Sequence, residues 1–310
     1  MAKTCGFITI ATGKEDYYKM AANLLHSYRH FSKQPLPFAI LADRANSYTE
    51  EFDDVIIMQE GKATNSYLDK LELDRYLPYD VTVFIDADCL AFGDLNQTFQ
   101  YFEDADDFSC FGRVLGLDDR TGWFEYENLG ELKNRVSYVV GLHGGIYYMR
   151  KGETCSRIFE TARSLVPDYR SFKFKGKFDT PGDEPLVALS MALNQCKPIS
   201  FIERAICCYW EHTDSMKIDM VSGVAQVCMD GKAEHGYETD LVHWGTRFTR
   251  ETEYQKQVAL LNILEDSTGE KEKRIRACRR KYSRMAARKR IANLCMRVKN
   301  KLLRTIGVGK

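Results

Sequence analysis

Apolar residues in the first 90 positions fall into short runs that alternate with segments of helical periodicity. The short runs are rich in β-branched and aromatic residues, as covered strands are, and they predict strands at residues 6–11, 38–41, 55–58 and 81–85. Between them, apolar side chains recur at helical spacing in residues 17–30 and 67–76. This alternation predicts an α/β fold with a Rossmann-like, mostly parallel central sheet flanked by helices.

The pattern after residue 88 is less regular, but it still contains strand-like and helical segments. Strand-like runs lie at residues 109–112, 138–149, 199–202, 205–210 and 241–245. Helices are predicted at residues 99–102, 153–165, 186–193 and 251–264. Asp183 is predicted to be the N-cap of the third of these helices, with Pro185 in its first turn. The polar, Gly-rich residues 113–136 predict a loop or short helices over one side of the sheet.

Two carboxylates follow the predicted strand at residues 81–85. Asp86 and Asp88 are one residue apart, directly beyond its carboxyl end. In open α/β sheets ligands bind at that edge. Oxygen ligands of this kind suit Mg²⁺ or Mn²⁺, although a surface turn is the alternative.

The formal net charge of zero conceals an acidic body and a basic tail. Residues 271–310 carry 16 Lys and Arg against a single acid, Glu272. An apolar stripe at helical spacing runs through the basic residues and comprises Ala287, Ile291, Leu294, Val298 and Leu302. A basic amphipathic helix is typical of an anchor on anionic membrane lipids, and docking on the acidic body or dimerisation are the alternatives. Nucleic-acid binding is not expected, because no aromatic interleaving or known module accompanies the charge.

The cysteine pattern indicates a reducing compartment. The chain has 10 cysteines at irregular spacing and no C-x-x-C pair, which argues against a zinc ribbon or a disulfide scaffold. The first residues do not resemble a signal peptide, and no apolar run is long enough to span a bilayer. We therefore expect a cytoplasmic protein, peripheral at the inner face of the cytoplasmic membrane.

Four segments in the same order resemble the GT-A-fold glycosyltransferases of family 8, the glycogenin-like and bacterial galactosyltransferase-like group. The first is Ala11-Thr12-Gly13 followed by Tyr17. It resembles the opening strand of the family, whose loop holds the uridine and whose Tyr stacks on the base. The resemblance covers roughly residues 6–250.

The second segment joins Lys70 to the acidic triplet Asp86-Ala87-Asp88. In the family, a basic residue about sixteen positions before the D-x-D motif neutralises the diphosphate of the donor or touches its sugar. The resemblance implies that Asp86 and Asp88 hold a divalent ion and that Lys70, Asp86 and Ala87 contact the donor.

The third segment comprises His143-Gly144-Gly145 and, further on, Asp183-Glu184. His143 stands where the family has an Asn that touches the donor sugar, and Glu184 replaces a Gln near the reacting carbon. Asp183 matches the family. The resemblance implies that Asp183 and Glu184 are catalytic and that residues 143–145 contact the donor.

The fourth segment contains His243, Gly245 and Arg247. The family closes its site with His-x-x-Gly-x-x-Lys, whereas here Gly follows His after two positions and Arg replaces Lys. The resemblance implies that His243 completes the metal site, and that Gly245 and Arg247 contact the diphosphate.

The resemblance implies a GT-A domain over residues 1–265, followed by a basic amphipathic helical tail over residues 266–310. The expected activity is metal-dependent transfer of a hexose from a nucleoside-diphosphate sugar, UDP-linked, to a glycan or lipid-linked acceptor with retention. The expected cofactor is Mn²⁺ or Mg²⁺. The alternatives are a sugar-nucleotidyltransferase, and a non-catalytic glycan- or membrane-binding protein on a transferase scaffold.

Overall fold

The computed structural model describes residues 3–174, 181–229 and 232–305. The amino-terminal half contains β1 (Cys5–Ala11), α1 (Glu15–Phe31), β2 (Phe38–Ala42), β3 (Asp54–Ile57), β4 (Val81–Ile85), β5 (Cys89–Ala91), α2 (Thr98–Tyr101), β6 (Phe108–Leu115) and β7 (Val139–Arg150). Short 3-10 helices lie at Thr49–Glu51, Tyr67–Arg75, Leu95–Gln97 and Tyr126–Arg135.

The carboxyl-terminal half contains more helix and two small sheets. Its elements are α3 (Glu153–Ser164), α4 (Asp183–Leu193), β8 (Ile199–Ser200), β9 (Cys207–Cys208), β10 (Met216–Asp219), β11 (Val224–Met229), β12 (Lys232–Glu238), β13 (Leu241–His243), α5 (Gly245–Phe248), α6 (Thr252–Glu265) and α7 (Lys271–Thr305). Further 3-10 helices lie at Val166–Asp168 and Tyr209–Glu211.

The central sheet has the strand order β3-β2-β1-β4-β7-β6-β8. Strands β1 to β4 pair in parallel, as do β6 and β8, whereas β7 runs antiparallel to both β4 and β6. The predicted α/β fold with a mostly parallel sheet is therefore confirmed. Because β1, β2 and β4 point the same way, the loops that follow them meet at one edge of the sheet.

Both faces of the central sheet are buried around β1, β2 and β4, whereas the edge strand β3 is largely exposed. Along β1, Phe7 packs into a cluster with α1, and the next residue, Ile8, packs into a second cluster with α3 and α4. Successive side chains of a strand point to opposite faces, so the continuous apolar runs in the sequence fill two layers rather than one.

Two small sheets extend the fold beyond the central one. In the first, β13 lies between β5 and β9. Because β5 directly follows the acidic triplet, this pairing places His243 beside Asp86 and Asp88. In the second, β10, β11 and β12 form an antiparallel meander that the sequence pattern did not predict. The first of these sheets positions the site described below.

Several sequence predictions need correction. The predicted strand at residues 205–210 is limited to β9, because a 3-10 helix begins at Tyr209. Asp183 is not an N-cap: it is the first residue of α4, and Gly182 precedes it without a side-chain cap. Its carboxylate instead approaches Lys70 and Tyr147. The predicted turn before α4 begins at residues 179 and 180, which lie outside the described residues.

The basic tail forms the long helix α7, and its first half packs on the body. Ile275 and Tyr282 lie against the core, and Arg279 forms an ion pair of 2.6 Å with Asp219. Lys289 is paired with Glu251 of the body. The tail boundary at residue 266 stays a prediction, but the structure shows that the part of α7 up to residue 289 docks on the domain.

The part of α7 beyond residue 289 presents apolar side chains to solvent. Ile291 is 63% exposed and Met296 is 58% exposed. Of the predicted apolar stripe, the side chains of Leu294, Val298 and Leu302 lie outside the described residues. Within the described part of the chain, no helix is both long and apolar enough to cross a bilayer.

Candidate active site

The ends of separate elements converge on one cleft of about 730 Å³. Of the predicted site residues, those that line it are Thr12, Tyr17, Lys70, Asp86, Ala87, Asp88, His143, Asp183, Glu184, His243, Gly245 and Arg247. Ala11, Gly13, Gly144 and Gly145, which were also predicted, are not among the lining residues. Segments from both ends of this set, from Thr12 to Arg247, are therefore brought together.

The acidic pair and His243 are held by strand ends. The backbone N–H of Asp86 donates to the carbonyl of Gly145 at 3.0 Å, and the backbone N–H of Trp244 donates to the carbonyl of Asp88 at 3.0 Å. The first bond ties the turn after β4 to β7, and the second ties it to the end of β13. The three side chains are thus placed by sheet pairing rather than by a free loop.

His243 lies beside both carboxylates and makes the three side chains a candidate divalent-ion site. His243 Nε2 lies 3.0 Å from Asp88 Oδ1 and 3.6 Å from Asp86 Oδ2. Neighbouring ligands of an octahedral ion at about 2.1 Å lie about 3.0 Å apart, so the spacing of His243 to Asp88 already fits. Asp86 would have to move closer, because the group whose ligand atoms all lie within 4.8 Å of one another here is Asp88, Cys89 and His243. The other oxygen of Asp88 accepts a hydrogen bond from the Thr246 hydroxyl at 3.1 Å, which fixes the carboxylate. Two carboxylates and an imidazole fit Mn²⁺ or Mg²⁺.

Burial and charge act in opposite directions on these groups. Burial raises the pKa of Asp86 despite the nearby Lys70. For Asp88, burial is outweighed by His243, which lowers the pKa of the carboxyl. Burial would lower the pKa of His243, but the charge of Asp88 raises it. The two carboxylates thus outweigh burial at His243 and favour its protonated form.

Lys70 bridges the acidic pair and the start of α4. Its Nζ lies 2.8 Å from Asp86 Oδ1 and 3.2 Å from Asp183 Oδ2, and it donates to the carbonyl of Gly144 at 3.4 Å. Burial alone would lower the pKa of Lys70, but the carboxylates of Asp183 and Asp86 outweigh it and raise the pKa. Lys70 is therefore a permanently charged ammonium at the centre of the site.

Asp183 and Glu184 open α4 with their carboxylates in the cleft. Asp183 Oδ2 accepts a hydrogen bond from the Tyr147 hydroxyl at 3.0 Å, and Glu184 Oε1 accepts from the Gly144 N–H at 2.6 Å. A Cβ at Gly144 would lie 2.5 Å from Glu184 Cγ, so the glycine permits this approach. Burial, together with the charge of Asp183, raises the pKa of Glu184 to about 7. Glu184 can thus exchange a proton near neutral pH.

His143 faces the far side of the His243 ring. Its Nε2 lies 3.3 Å from His243 Nδ1 and 2.9 Å from Cys208 Sγ, while Gly145 donates its N–H to His143 Nδ1 at 3.2 Å. Burial, reinforced by the charge of His243, lowers the pKa of His143 to about 3, so its ring is neutral. Sequence reasoning missed Cys208, because nothing local links it to either histidine.

The other end of the cleft lies beyond β1. Thr12 donates its hydroxyl to Asp69 Oδ2 at 2.7 Å, and Gly13 donates its N–H to Asp43 Oδ2 at 3.2 Å. Tyr17 lines the cleft here. Gly13 has a φ of +77°, a conformation that favours glycine. Asp69 and Asp43 were not predicted as site residues, although Asp43 directly follows β2 and lies at the ligand-binding edge of the sheet.

Arg247 and Trp210 close the remaining side. Arg247 and Gly245 belong to α5 and line the cleft together with Trp210, whose ring centroid is 4.9 Å from that of His243. Gly245 has a φ of +67°, and a Cβ there would approach the Trp210 ring at 3.2 Å. The end of β13 thus turns sharply into α5, and Arg247 lines the same cleft as the acidic pair.

The topology and the position of the cleft define a GT-A fold. The solved structure of the galactosyltransferase LgtC, in complex with donor and acceptor sugar analogues, has a TM-score of 0.50 at 12% identity; the match covers 87% of this chain and 99% of that one. Mouse xyloside xylosyltransferase 1 in its apo form gives 0.45 at 11% identity, with 79% of this chain and 99% of that one covered. The apo form of the glycosyltransferase GlyE of Streptococcus pneumoniae TIGR4 has a TM-score of 0.46 at 11% identity; the match covers 79% of this chain and 55% of that one.

No protein-family model and no curated protein matches the sequence significantly. At these identities, the likeness to LgtC is a likeness of fold.

Proposed function

We propose that the protein is a metal-dependent glycosyltransferase. It moves a hexose from a nucleoside-diphosphate sugar, in which the nucleotide is UDP, to a glycan or lipid-linked acceptor. The observation that carries the proposal is the convergence of Asp86, Asp88 and His243 next to Lys70. A divalent ion held by these side chains at the carboxyl edge of the sheet would suit the diphosphate of a nucleotide sugar. The fold that the chain shares with LgtC is consistent with it.

Asp86, Asp88 and His243 would hold Mn²⁺ or Mg²⁺, which when bound supplies Lewis-acid stabilisation of the diphosphate leaving group. Lys70 and Arg247 add positive charge where negative charge develops on the departing phosphate. Tyr17, at the other end of the cleft, offers an aromatic face to the base. Thr12 and the backbone near Gly13 lie on the same side and would orient the nucleoside.

The proposed transfer retains the configuration of the anomeric carbon. A carboxylate beneath that carbon can act as nucleophile or stabilise an oxocarbenium-like state. The carboxylate of Asp183 lies 3.2 Å from the ammonium of Lys70, whereas Glu184 has a pKa of about 7 and can carry a proton. Glu184 therefore suits a step that gains or loses a proton near neutral pH, and Asp183 suits electrostatic stabilisation.

A UDP-release assay over a panel of sugar nucleotides, with Mn²⁺, Mg²⁺ or EDTA, tests the proposal. We expect donor-dependent release that requires the metal, and a loss of at least 100-fold in Asp88→Asn, the scale of removing an important electrostatic contact. Asp104→Asn, which changes an exposed carboxylate, is the matched control. Pyrophosphate exchange without sugar transfer would instead identify a nucleotidyltransferase, and undiminished turnover in EDTA would contradict the metal role.

We also propose that the protein works at the inner face of the cytoplasmic membrane, with the end of α7 bound to anionic lipid. The support is that α7 is held to the body only up to Lys289 in the described structure, beyond which Ile291 and Met296 are exposed among basic residues. An apolar face with Lys and Arg around it binds anionic surfaces through both burial and charge. A lipid-linked acceptor would be found at the same surface.

A further inference from the structure

A second cluster of metal-binding side chains lies directly behind the carboxylate site. The Nε2 atom of His143, the Sγ atom of Cys208 and a ring nitrogen of His243 all lie within 4.8 Å of one another. A thiol and two imidazoles are ligands of zinc and similar ions, whereas carboxylates suit Mg²⁺ and Mn²⁺. The two nitrogens of His243 therefore face donors of different chemistry.

Strand pairing, not a loop, builds this cluster. In the sheet β5-β13-β9, His243 is directly opposite Cys89 on one side and Cys208 on the other. Residues opposite each other in a sheet project to the same face, so a thiol flanks the imidazole on either side. Cys207 projects to the other face, where its Sγ lies 3.6 Å from the Tyr237 hydroxyl.

We propose that His143, Cys208 and His243 form a binding site for a borderline or soft divalent ion such as Zn²⁺, and that its occupancy inhibits the enzyme. With Zn–N of about 2.0 Å and Zn–S of about 2.3 Å, the donor atoms of a tetrahedral site lie about 3.3–3.6 Å apart. The separations of 3.3 Å between the histidines and 2.9 Å between His143 and Cys208 need only a small expansion. Water would complete the coordination.

Binding requires two changes in the cluster. The Cys208 thiol gives up its proton to solvent when its sulfur ligates the ion. A neutral His143 that binds through Nε2 carries its proton on Nδ1, so the hydrogen bond from the Gly145 N–H, which is 3.2 Å long, must open. That length is at the weak end of the usual range.

Inhibition follows from the chemistry of a single imidazole. Neutral histidine has one nitrogen free to ligate an ion, and the other carries the proton. When His243 binds Zn²⁺ through Nδ1, its Nε2 is protonated and is lost to the ion held by Asp86 and Asp88. The two sites therefore exclude each other, although they use different protein atoms.

Titration of the full-length, metal-free protein with Co²⁺ tests the site directly. We expect one equivalent to produce thiolate-to-cobalt charge-transfer absorption and the visible bands of tetrahedral cobalt, both removed by Zn²⁺. Cys208→Ser should abolish the charge-transfer band, whereas Cys207→Ser, the adjacent buried thiol, should keep it. A wild-type protein without the band, or a Cys208→Ser protein that retains it, would overturn the site.

His143→Gln, on a different strand, provides a second variant if Cys208→Ser does not fold, as judged by circular dichroism. Competition with a chromophoric chelator should show zinc binding at least tenfold weaker than in the wild type. Equal affinity would refute the ligand role of His143.

The inhibitory part rests on the proposed glycosyl transfer. In UDP-release assays with Mn²⁺, added Zn²⁺ should inhibit the wild type but not Cys208→Ser, and equal inhibition of both would overturn this part. The cobalt spectra do not depend on turnover, so a protein that shows the Cys208-dependent band but transfers no sugar would retain the metal site and contradict only the proposed function.

Discussion

Lys70 is the group whose removal should disturb the site most, because it neutralises two buried carboxylates at once. Its side chain is 14% exposed, and those of Asp86 and Asp183 are 16% and 5% exposed. At this burial, solvent screening is weak, and removal of one partner leaves uncompensated charge, which costs about 3–5 kcal/mol. At about 2 °C per kcal/mol for a chain of this size, Lys70→Met should lower the melting temperature by roughly 6–10 °C.

The effect should depend on conditions in a way that a simple packing defect would not. Mn²⁺ should restore part of the lost stability, because a cation bound by Asp86 replaces some of the missing charge. Acid should narrow the difference from wild type, since protonation removes the carboxylate repulsion. Activity should fall by about 100- to 1000-fold even where the variant is folded, as expected for loss of a charge at the developing anion.

Differential scanning fluorimetry over a pH series, with and without Mn²⁺, measures the stability effect, and UDP release measures the activity. Lys62→Met, which removes an exposed lysine, is the matched control and should melt within about 1 °C of the wild type, as surface substitutions do. A Lys70→Met protein that melts like this control at neutral pH without metal would refute the electrostatic account. A loss that is the same at every pH and with Mn²⁺ would indicate lost packing instead.

Three further predictions follow from the site and from α7. Because the pKa of the Glu184 carboxyl is raised to about 7, the folded state favours its protonated form. The free energy of unfolding gained from this preference is complete below the pKa of the group in the unfolded chain and is lost as pH rises to about 7. Glu184→Gln should therefore melt higher than wild type at pH 8 but not at pH 4, and should remove any rise of kcat with pH near 7. Gly145→Ala should weaken Mn²⁺ binding at least tenfold in calorimetry, because its Cβ would lie 2.6 Å from His143 Cε1 and 3.0 Å from His243 Nδ1, so both imidazoles must shift. Truncation to residues 1–289 should abolish sedimentation with anionic vesicles at unchanged melting temperature, whereas truncation to 1–270 should also lower that temperature.

Much of the central sheet could be predicted from the sequence, because strand composition and helical period are local signals. The strand before Asp86 is one example: its β-branched residues and its abrupt polar end mark both the element and the edge of the sheet where ligands bind. The sequence does not reveal that β7 runs antiparallel to β4. Its apolar residues and glycines identify a strand, but a long connection can return the chain in either direction.

The meander over β10 to β12 was missed for a different reason. Its strands are only four to seven residues long, so each offers few positions from which a period could be read, although Ile218 and Ala225 do pack into the core. The contact between His143 and Cys208 is similar, since the two residues are 65 positions apart and meet only when β9 pairs with β13. Pairings of this kind are properties of the tertiary fold and leave no local pattern.

His243 shows why strand ends carry more information about the site than motif spacing does. Its glycine follows after two residues rather than the three of the family pattern, which casts doubt on an alignment by spacing alone. In the structure, the hydrogen bond from the Trp244 N–H to the carbonyl of Asp88 holds the end of β13 against the acidic pair. His243 is the last residue of β13, so its imidazole is placed by the strand and not by the turn that follows. Gly245, with a positive φ, follows at the start of α5. The position of His243 beside Asp86 and Asp88 is thus set by strand pairing and does not depend on its spacing to the glycine.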